Sequence, residues 1–265
     1  MFIDTHCHLT FAEYDPDRAM VIGNAKKAGV KQFICPSVDP FSSQQTVMLA
    51  EKNPSTIFAA IGYHPYEAQQ NPDLKILEEL IKTKSGSRVK PGMTIVAIGE
   101  IGLDYHQYKD EYAAGKKQNQ KILFEEQLRL AKKHNLPAIM HVRDAFEDFF
   151  TIYDSLPVRG VIHCFSGGLQ EVRMAQKRKL FIGLDGNSTY SKQLQSVIPG
   201  IPLSMILLET DAPYLTPIPH RGQRNEPKYI PLIAGEIAKR QGISVIEVEK
   251  QTTKNAQSLF QLLSR

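Results

Sequence analysis

The sequence predicts an α/β fold, a (β/α)8 barrel of the TIM type that forms a single domain over residues 1–265. Eight short apolar runs alternate with helix-like segments, and strands that alternate with helices form a parallel sheet. The length of 265 residues also matches the roughly 250 residues that a closed barrel of this type needs. Polar residues follow several of the runs, and such a barrel gathers these residues at the carboxyl ends of its strands.

The predicted strands are short and rich in aliphatic residues. In chain order they span residues 2–5, 32–36, 57–61, 94–99, 137–141, 160–163, 180–184 and 205–208. Helical patterns lie between them, and the pattern at 118–134 places Ile122, Phe124, Leu128 and Leu130 among charged residues, as an amphipathic helix does. Polar residues with two glycines and a proline predict an exposed loop at 82–92, and 110–120 is a second loop-like segment that runs into a helix. The segment 244–265 is predicted to be helical and to pack outside the barrel.

Composition and charge are those of an ordinary folded protein. Apolar residues make up 42% and charged residues 23% of the chain, which argues against disorder, and the net charge of +4 is compatible with an anionic substrate. Three scattered cysteines are too few for a disulfide framework. No apolar run reaches the ~20 residues of a membrane helix, and the N-terminus lacks a signal-peptide pattern. We therefore expect a cytoplasmic monomer without membrane contact, with its N-terminus mature as written.

Five stretches place metal-binding residue types at predicted strand ends. The first contains His6 and His8, which lie two residues apart and so face the same side of a strand, while Cys7 faces away. The other candidates each follow an apolar run: Glu100, His141, His163 and Asp211. The sequence therefore predicts a metal site at the carboxyl ends of the barrel strands.

The donor set indicates the kind of metal and its number. Imidazole and carboxylate ligands suit Zn²⁺, Mn²⁺ or Fe²⁺, and Mg²⁺ is compatible if carboxylates and waters dominate. Six candidate ligands exceed what one tetrahedral ion requires, so two divalent ions bridged by Glu100 are predicted. His6 and His8 would complete one shell, and His141 and His163 the other. Asp211 is predicted to bind one ion and also to orient the attacking water or accept its proton.

Each candidate has a simpler explanation when it is taken alone. An isolated His-x-His is usually not a metal site, and a single His is more often partly buried and hydrogen-bonded. A single Glu or Asp is usually a helix cap or a salt-bridge partner. The coincidence of five such stretches at strand ends of one barrel pattern favours a metal centre. Cys7 and Cys164 are interpreted as packing residues.

Longer motifs around these residues resemble those of the TatD family of metal-dependent hydrolases. The matching segments are Phe2-Ile3-Asp4-Thr5-His6-Cys7-His8, Gly62-Tyr63-His64-Pro65, Ile98-Gly99-Glu100-Ile101-Gly102-Leu103-Asp104-Tyr105, Met140-His141-Val142-Arg143-Asp144-Ala145, His163-Cys164-Phe165-Ser166-Gly167, Leu208-Glu209-Thr210-Asp211-Ala212-Pro213-Tyr214-Leu215, Arg221-Gly222-Gln223-Arg224-Asn225-Glu226-Pro227 and Asn255-Ala256. The resemblance runs from residue 2 to about residue 260. It implies a (β/α)8 barrel, one to three divalent metals, and deoxyribonuclease activity that is often 3′–5′ exonucleolytic. The segment 82–92 looks longer than the compact family pattern.

Other residues near these motifs are candidates for catalysis or substrate binding. His64 follows the third strand and is expected either to touch a phosphate or to support the site from outside the metal shell. Glu209 is predicted to act as a base or to orient a water. Candidate phosphate-binding residues are Arg143, Arg221 and Arg224. The alternative role of Arg143 is a salt bridge with a neighbouring carboxylate, and the alternative for Arg221 and Arg224 is an ordinary solvated position on their loop. Tyr66 and Tyr214 could stack a base, although loop packing is the commoner use of such residues.

These observations together predict a two-metal phosphodiesterase that acts on DNA, with 3′–5′ exonuclease activity. One alternative is a hydrolase of another ester or amide, such as an aminoacyl ester on tRNA, because the same site would polarise a carbonyl group. Another is a barrel without turnover that serves as a binding or quality-control partner, and the complete ligand set argues against it.

Overall fold

The structure is a computed structural model, and it describes residues 1–85, 94–108, 111–112 and 115–262. The strands and helices follow one another in chain order as β1 Phe2–Asp4, α1 Arg18–Lys27, β2 Val30–Pro36, α2 Pro40–Lys52, β3 Ile57–Ile61, α3 Lys75–Ser85, β4 Ile95–Asp104, β5 Gln107–Tyr108, β6 Glu111–Tyr112, α4 Lys117–His134, β7 Ala138–Arg143, α5 Phe146–Ser155, β8 Gly160–Ile162, α6 Leu169–Lys177, β9 Phe181–Leu184, α7 Lys192–Val197, β10 Ile206–Leu208, α8 Ile230–Gln241 and α9 Val245–Phe260. Every predicted strand has a counterpart in this series.

Eight of the strands belong to one parallel sheet in the order β1-β2-β3-β4-β7-β8-β9-β10, and β5 and β6 form a separate antiparallel pair. Parallel strands need a crossover between them, which the intervening helices provide. The described residues form two compact units. The first contains Met1–Cys35 and Cys164–Ser258, and the second contains Pro36–His163 and a segment that begins at Leu259. The single domain over 1–265 stays a prediction.

In the first unit, β1 pairs with β2 and β9 pairs with β10. The N–H of Thr5 donates to Leu208 O, and Cys7 forms a parallel bridge with Ala212, so the chain after β1 runs beside the chain after β10. In the second unit, β4 pairs with β3 on one side and with β7 on the other, and β7 also pairs with β8. Each unit therefore places several strand ends side by side.

Strand β4 extends beyond its predicted end at residue 99 and continues to Asp104. Its register with β7 shifts between Ile98 and Ile101, and regular pairing resumes at Ile101 opposite Met140. The extension requires Gly102, whose φ is +145°, because a side chain there would collide with the carbonyl of His141. Glu100 consequently lies within this strand and not after it. All ten residues of β4 are buried, as expected for a strand covered on both faces.

One of the two predicted loops is partly helical in the structure. Residues 82–85 continue α3, and residues 86–92 of the predicted loop lie outside the described residues. Polar residues, two glycines and a proline suggested a loop at 82–92, but Lys is also a good helix former. The loop-like segment predicted at 110–120 contains the short strand β6 and runs into a helix as predicted, with α4 beginning at Lys117. Helix α4 buries Phe124, Leu128 and Leu130 as its amphipathic pattern predicted, whereas Ile122 of the same pattern is 47% exposed.

No helix in residues 1–85, 94–108, 111–112 and 115–262 has both the length and the apolar character needed to cross a membrane.

Candidate metal ligands

His6, His8 and Asp211 form a cluster of candidate ligands in the first unit. The Nε2 atoms of the two histidines are 3.2 Å apart, and Oδ1 of Asp211 is 3.5 Å from Nε2 of His6 and 3.4 Å from Nε2 of His8. Both histidines are buried. The N–H of Asp211 donates to His6 O at 2.9 Å, which holds the carboxylate beside the imidazoles. Two imidazole nitrogens and one carboxylate oxygen directed at one point are a donor set that suits a divalent cation.

The backbone of the His6–His8 segment shows why the two imidazoles converge. Strand β1 ends at Asp4, but extended pairing continues through the bridge between Cys7 and Ala212. The N–H of His8 donates to Ala212 O, and Cys7 is completely buried with its thiol near Ile34 O. The alternation expected for a strand therefore holds at these residues, and Cys7 is a packing residue as predicted.

Asp4 joins the two segments that supply this cluster. Its carboxylate accepts hydrogen bonds from the backbone N–H of His6 at 3.2 Å and of Thr210 at 3.1 Å, and from Oγ1 of Thr210 at 2.6 Å. Burial raises the pKa of Asp4 to about 7, although the hydrogen bonds from Thr210 and His6 oppose this shift. The sequence indicated that Asp4 is functional together with His6, but not what Asp4 does. Its place just before the His-x-His pattern was the available signal.

A second cluster surrounds Glu100 in the second unit. One oxygen of this carboxylate, Oε1, is 2.7 Å from Nε2 of His163, 3.0 Å from Nδ1 of His141 and 3.6 Å from Nε2 of His64. Nδ1 of His141 and Nε2 of His163 are themselves 3.3 Å apart. Single donor atoms of His64, Glu100 and His141 all lie within 4.8 Å of one another. The structure thus brings together the ligands predicted at the ends of the fourth, fifth and sixth strands, with His64 beside them.

The carboxylates around His141 control its protonation. Burial disfavours the charged imidazole, but the hydrogen bonds that its N–H groups donate to Asp104 and Glu100 outweigh burial and raise the pKa of His141 to about 9. Burial instead lowers the pKa of His64 to about 3. A proton on His141 neutralises carboxylate charge, and a bound cation would take the place of that proton. This electrostatic environment fits a metal site.

Asp104 is a site residue for which sequence reasoning proposed no role. Its Oδ2 lies 3.1 Å from Nε2 of His141, and its Oδ1 accepts a hydrogen bond from the N–H of His106. The carboxylate is buried at the end of β4. A carboxylate on the far nitrogen of a ligating imidazole fixes the tautomer and the ring orientation. Its signal in the sequence was a polar residue that ends an apolar segment, four positions after Glu100.

Glu209 and Cys164 are in contact beside the first cluster. The carboxylate of Glu209 is completely buried and accepts a hydrogen bond of 2.5 Å from the N–H of Cys164. Burial, followed by the negative charge of Asp185, raises the pKa of Glu209 well above its usual range. A carboxyl group in this environment holds its proton more tightly than an ordinary glutamate does.

The three predicted phosphate-binding arginines lie in different environments. Arg143 is half-buried at the end of β7. Arg221 is exposed, and its guanidinium lies 3.9 Å from the ring centroid of Tyr190. Arg224 forms a bidentate ion pair with Asp17, with distances of 2.9 and 2.7 Å. Arg221 also donates a hydrogen bond to Thr216 O, so both loop arginines have partners within the protein, and that of Arg224 is a salt bridge.

Comparisons with known proteins identify the family and agree with the fold. The family model described as TatD related DNase matches residues 3–261. The chain is 37% identical to "Uncharacterized metal-dependent hydrolase YabD" of Bacillus subtilis, over 99% of this chain and 100% of that protein. It is 33% identical to "3′-5′ ssDNA/RNA exonuclease TatD" of Pantoea ananatis, over 98% of this chain and 99% of that protein.

A solved structure has the same architecture over nearly the whole chain. The crystal structure of YjjV, a TatD homologue from Escherichia coli, superposes with a TM-score of 0.89 at 30% identity, and the match covers 99% of this chain and 98% of that chain. This match and the sheet of eight parallel strands confirm the predicted (β/α)8 barrel. The family model and the named relatives confirm a metal-dependent hydrolase that acts on ester bonds. The chain belongs to the TatD family.

Proposed function

We propose that this protein is a divalent-metal-dependent phosphodiesterase that removes nucleotides from the 3′ end of single-stranded DNA. The observation that supports it most is the grouping of all six predicted ligands into two clusters, one around Asp211 and one around Glu100. Two ligand sets fit a pair of ions better than one ion. Relatives that are named as single-strand exonucleases support the nucleic-acid substrate.

In this proposal each ion has its own protein ligands. His6, His8 and Asp211 would hold one ion, while His141 and His163 would hold the other. Glu100 would bridge the two, because a carboxylate has two oxygens and this one already attracts several imidazoles. When bound, two such ions supply an activated water and positive charge at the attacking and leaving oxygens of an in-line displacement at phosphorus.

The remaining groups of the site position the substrate and move protons. Asp211 would accept the proton of the attacking water, because its carboxylate is only partly buried beside His6 and His8. Arg143 and Arg221 would contact phosphates, and the stacking of Arg221 on Tyr190 lowers the entropy cost of doing so. His64 and Glu209 would orient these groups. The ion pair of Arg224 with Asp17 favours a structural role for that arginine.

A substrate panel tests the proposal. Single-stranded DNA oligonucleotides labelled at the 5′ or the 3′ end, the matching RNA, and an aminoacyl-tRNA ester would be incubated with chelated protein and with added Mg²⁺, Mn²⁺ or Zn²⁺. We expect a ladder shortened from the 3′ end, lost on chelation and restored by a divalent ion. Turnover of the aminoacyl ester without cleavage of any oligonucleotide would contradict a phosphodiesterase. Full activity after chelation, with metal content confirmed near zero, would contradict metal dependence.

The predicted cytoplasmic location and the predicted monomer are retained as parts of this proposal, and both are open to fractionation and sedimentation measurements.

A further inference from the structure

We propose that Phe11 and Tyr214 form a stacking site for one unpaired nucleobase of the substrate, beside the ligands His6, His8 and Asp211. This inference rests on the proposed function, because it names the part of a nucleic acid that the site recognises besides the phosphate. The observations behind it are the contacts of the two aromatic rings and the hydrogen bonds of their backbones, all of which lie in the first unit.

The first ring, that of Phe11, packs directly on the candidate ligand His8. Phe11 stacks on the imidazole of His8, with ring centroids 4.5 Å apart and an interplanar angle of 17°. The N–H of Phe11 also donates to His8 O at 3.0 Å. The position of the phenyl ring is therefore fixed relative to the ligand, and a group in contact with this ring lies close to the cluster.

The second ring is exposed although its backbone is firmly held. Tyr214 is 52% exposed, and its ring meets that of Phe11 at a centroid distance of 6.3 Å and an angle of 69°. Its N–H donates to Asp211 O at 2.9 Å, and its carbonyl accepts from the side chain of Asn225 at 2.5 Å. An exposed aromatic ring on a fixed backbone offers a face on which a planar ligand can stack.

The segments that bear the two rings are joined to each other. The hydroxyl of Tyr14, three residues after Phe11, donates to Asn225 O at 2.6 Å, and the amide of the same Asn225 also donates to Thr210 O. Phe11 and Tyr214 thus form a corner whose backbone is set before any ligand arrives. A preformed site loses little conformational entropy on binding.

A nucleobase is the occupant that this corner fits best. Base-on-aromatic stacking needs an exposed ring face and is tolerant of sequence, because every base has a π-face. Only an unpaired base offers such a face fully, so the corner would favour single strands over duplexes. The phosphate of the nucleotide whose base is stacked would lie towards His8 and Asp211, because Phe11 packs on His8 and the backbone of Tyr214 is hydrogen-bonded to Asp211.

The test combines removal of the ring with removal of the base. Oligonucleotides would carry an abasic residue at each of the last four positions in turn, and kcat/KM would be measured for the parent, Tyr214→Ala and Tyr214→Phe. We expect one abasic position to lower kcat/KM of the parent by about five- to one-hundred-fold. Tyr214→Ala should lose a similar factor on the intact strand and lose little more at that abasic position. Tyr214→Phe should behave as the parent does.

Ile246→Ala is the matched control, because Ile246 is also a large exposed apolar residue of the first unit, at 60% exposure on α9. It should leave all rates unchanged. Additive losses from Tyr214→Ala and every abasic position would overturn the stacking site, as would an unchanged Tyr214→Ala. The metal content and thermal midpoint of each variant would show whether a lower kcat/KM comes instead from disturbance of the hydrogen-bonded segment between Asp211 and Tyr214.

A binding measurement separates this inference from the proposed function. Oligonucleotides with 2-aminopurine near the 3′ end would be added to the chelated protein, which does not turn over, and quenching of the fluorescence would report stacking. Quenching that Tyr214→Ala abolishes, without cleavage by the metal-loaded parent, would support the stacking site and contradict the phosphodiesterase. Cleavage by the parent without quenching at any position would overturn the stacking site alone.

Discussion

The imidazole of His141 is held between two carboxylates, and Asp104 is the partner on its far side. Oδ2 of Asp104 lies 3.1 Å from Nε2, while Oε1 of Glu100 lies 3.0 Å from Nδ1. Both nitrogens of the ring are therefore engaged, and the ring cannot rotate without losing a charge-assisted contact. Asp104 makes no contact of this kind with His163, so its effect should be specific to one ligand among the described interactions.

The first prediction follows from this contact. Asp104→Asn keeps the size of the side chain but removes the charge that orients His141. We expect affinity for the metal to fall by about 10–100-fold, the usual effect of losing such a carboxylate, with the fold unchanged. Titration calorimetry of the chelated protein with Mn²⁺ would measure it, and circular dichroism would check the fold. Metal affinity equal to that of the parent would show that Asp104 does not position this ligand.

The second prediction concerns the proposed bridge. Glu100→Gln preserves shape but removes the negative charge shared by two cations, so both ions should bind more weakly. After gel filtration the variant should retain less of each of the two metal ions per protein molecule than the parent does, and its activity should be lower by orders of magnitude. A variant of His141 is the control, because it should weaken one ion more than the other. Normal metal content and a normal rate in folded Glu100→Gln would make the bridging role wrong.

The third prediction separates two roles of Asp211. Asparagine still offers an oxygen to a cation but cannot accept a proton, and loss of a general base typically lowers the rate about 10²–10⁴-fold. Single-turnover cleavage of a short oligonucleotide by Asp211→Asn would be measured at saturating metal. We expect a defect of that size to persist. A rate within a few-fold of the parent would limit Asp211 to metal binding and would transfer the base role to another group, with Glu209 the first candidate.

The fourth prediction compares two arginines of one loop. Arg221 is exposed and stacks on Tyr190, whereas Arg224 is paired with Asp17 and Glu226. Arg221→Ala should raise KM for an oligonucleotide about tenfold, as loss of one charge-assisted hydrogen bond does, without changing the thermal midpoint. Arg224→Ala should instead lower the thermal midpoint and leave KM near that of the parent. The reverse pattern would show that Arg224 is the phosphate ligand.

The effect of Arg224→Ala should also depend on pH. The hydrogen-bonded guanidinium of Arg224 lowers the pKa of Asp17 below its ordinary value of 3.8. A depressed carboxyl pKa contributes stability above the unfolded pKa, and the contribution is lost as pH falls through the folded pKa. The difference in unfolding free energy between parent and variant should therefore be constant near neutral pH and shrink below about pH 4. Chemical denaturation at several pH values would measure it, and a difference that grows in acid would contradict the pairing.

The sequence was informative wherever one pattern implied one geometry. The two-residue spacing of His6 and His8 implied a shared face, and the structure places their Nε2 atoms 3.2 Å apart. Positions at strand ends were enough to group His141 with His163 and Asp211 with His6. In each case the periodicity of an extended chain decided where the side chain points.

The residues that were missed have partners far away in the chain. Asp104 lies 37 positions from His141, and Asp4 lies 206 positions from Thr210, so no local pattern relates them. The position of Glu100 within β4 was also missed, because the register shift between Ile98 and Ile101 is a property of two paired strands. Propensity describes one segment at a time and contains no information on such pairings.

The contact between Asp4 and Thr210 also has a consequence for biosynthesis. A ribosome exposes His6 and His8 early, but the residues that fix their backbone and supply the third ligand emerge only after some two hundred further residues. Strand β1 can pair with β2 early, but it lacks its contacts with the segment after β10 for most of translation, since long-range pairing cannot precede synthesis of both segments. Chains that end before Asp211 lack the third candidate ligand, so we expect this cluster to bind a metal ion with full affinity only after that residue has emerged from the ribosome.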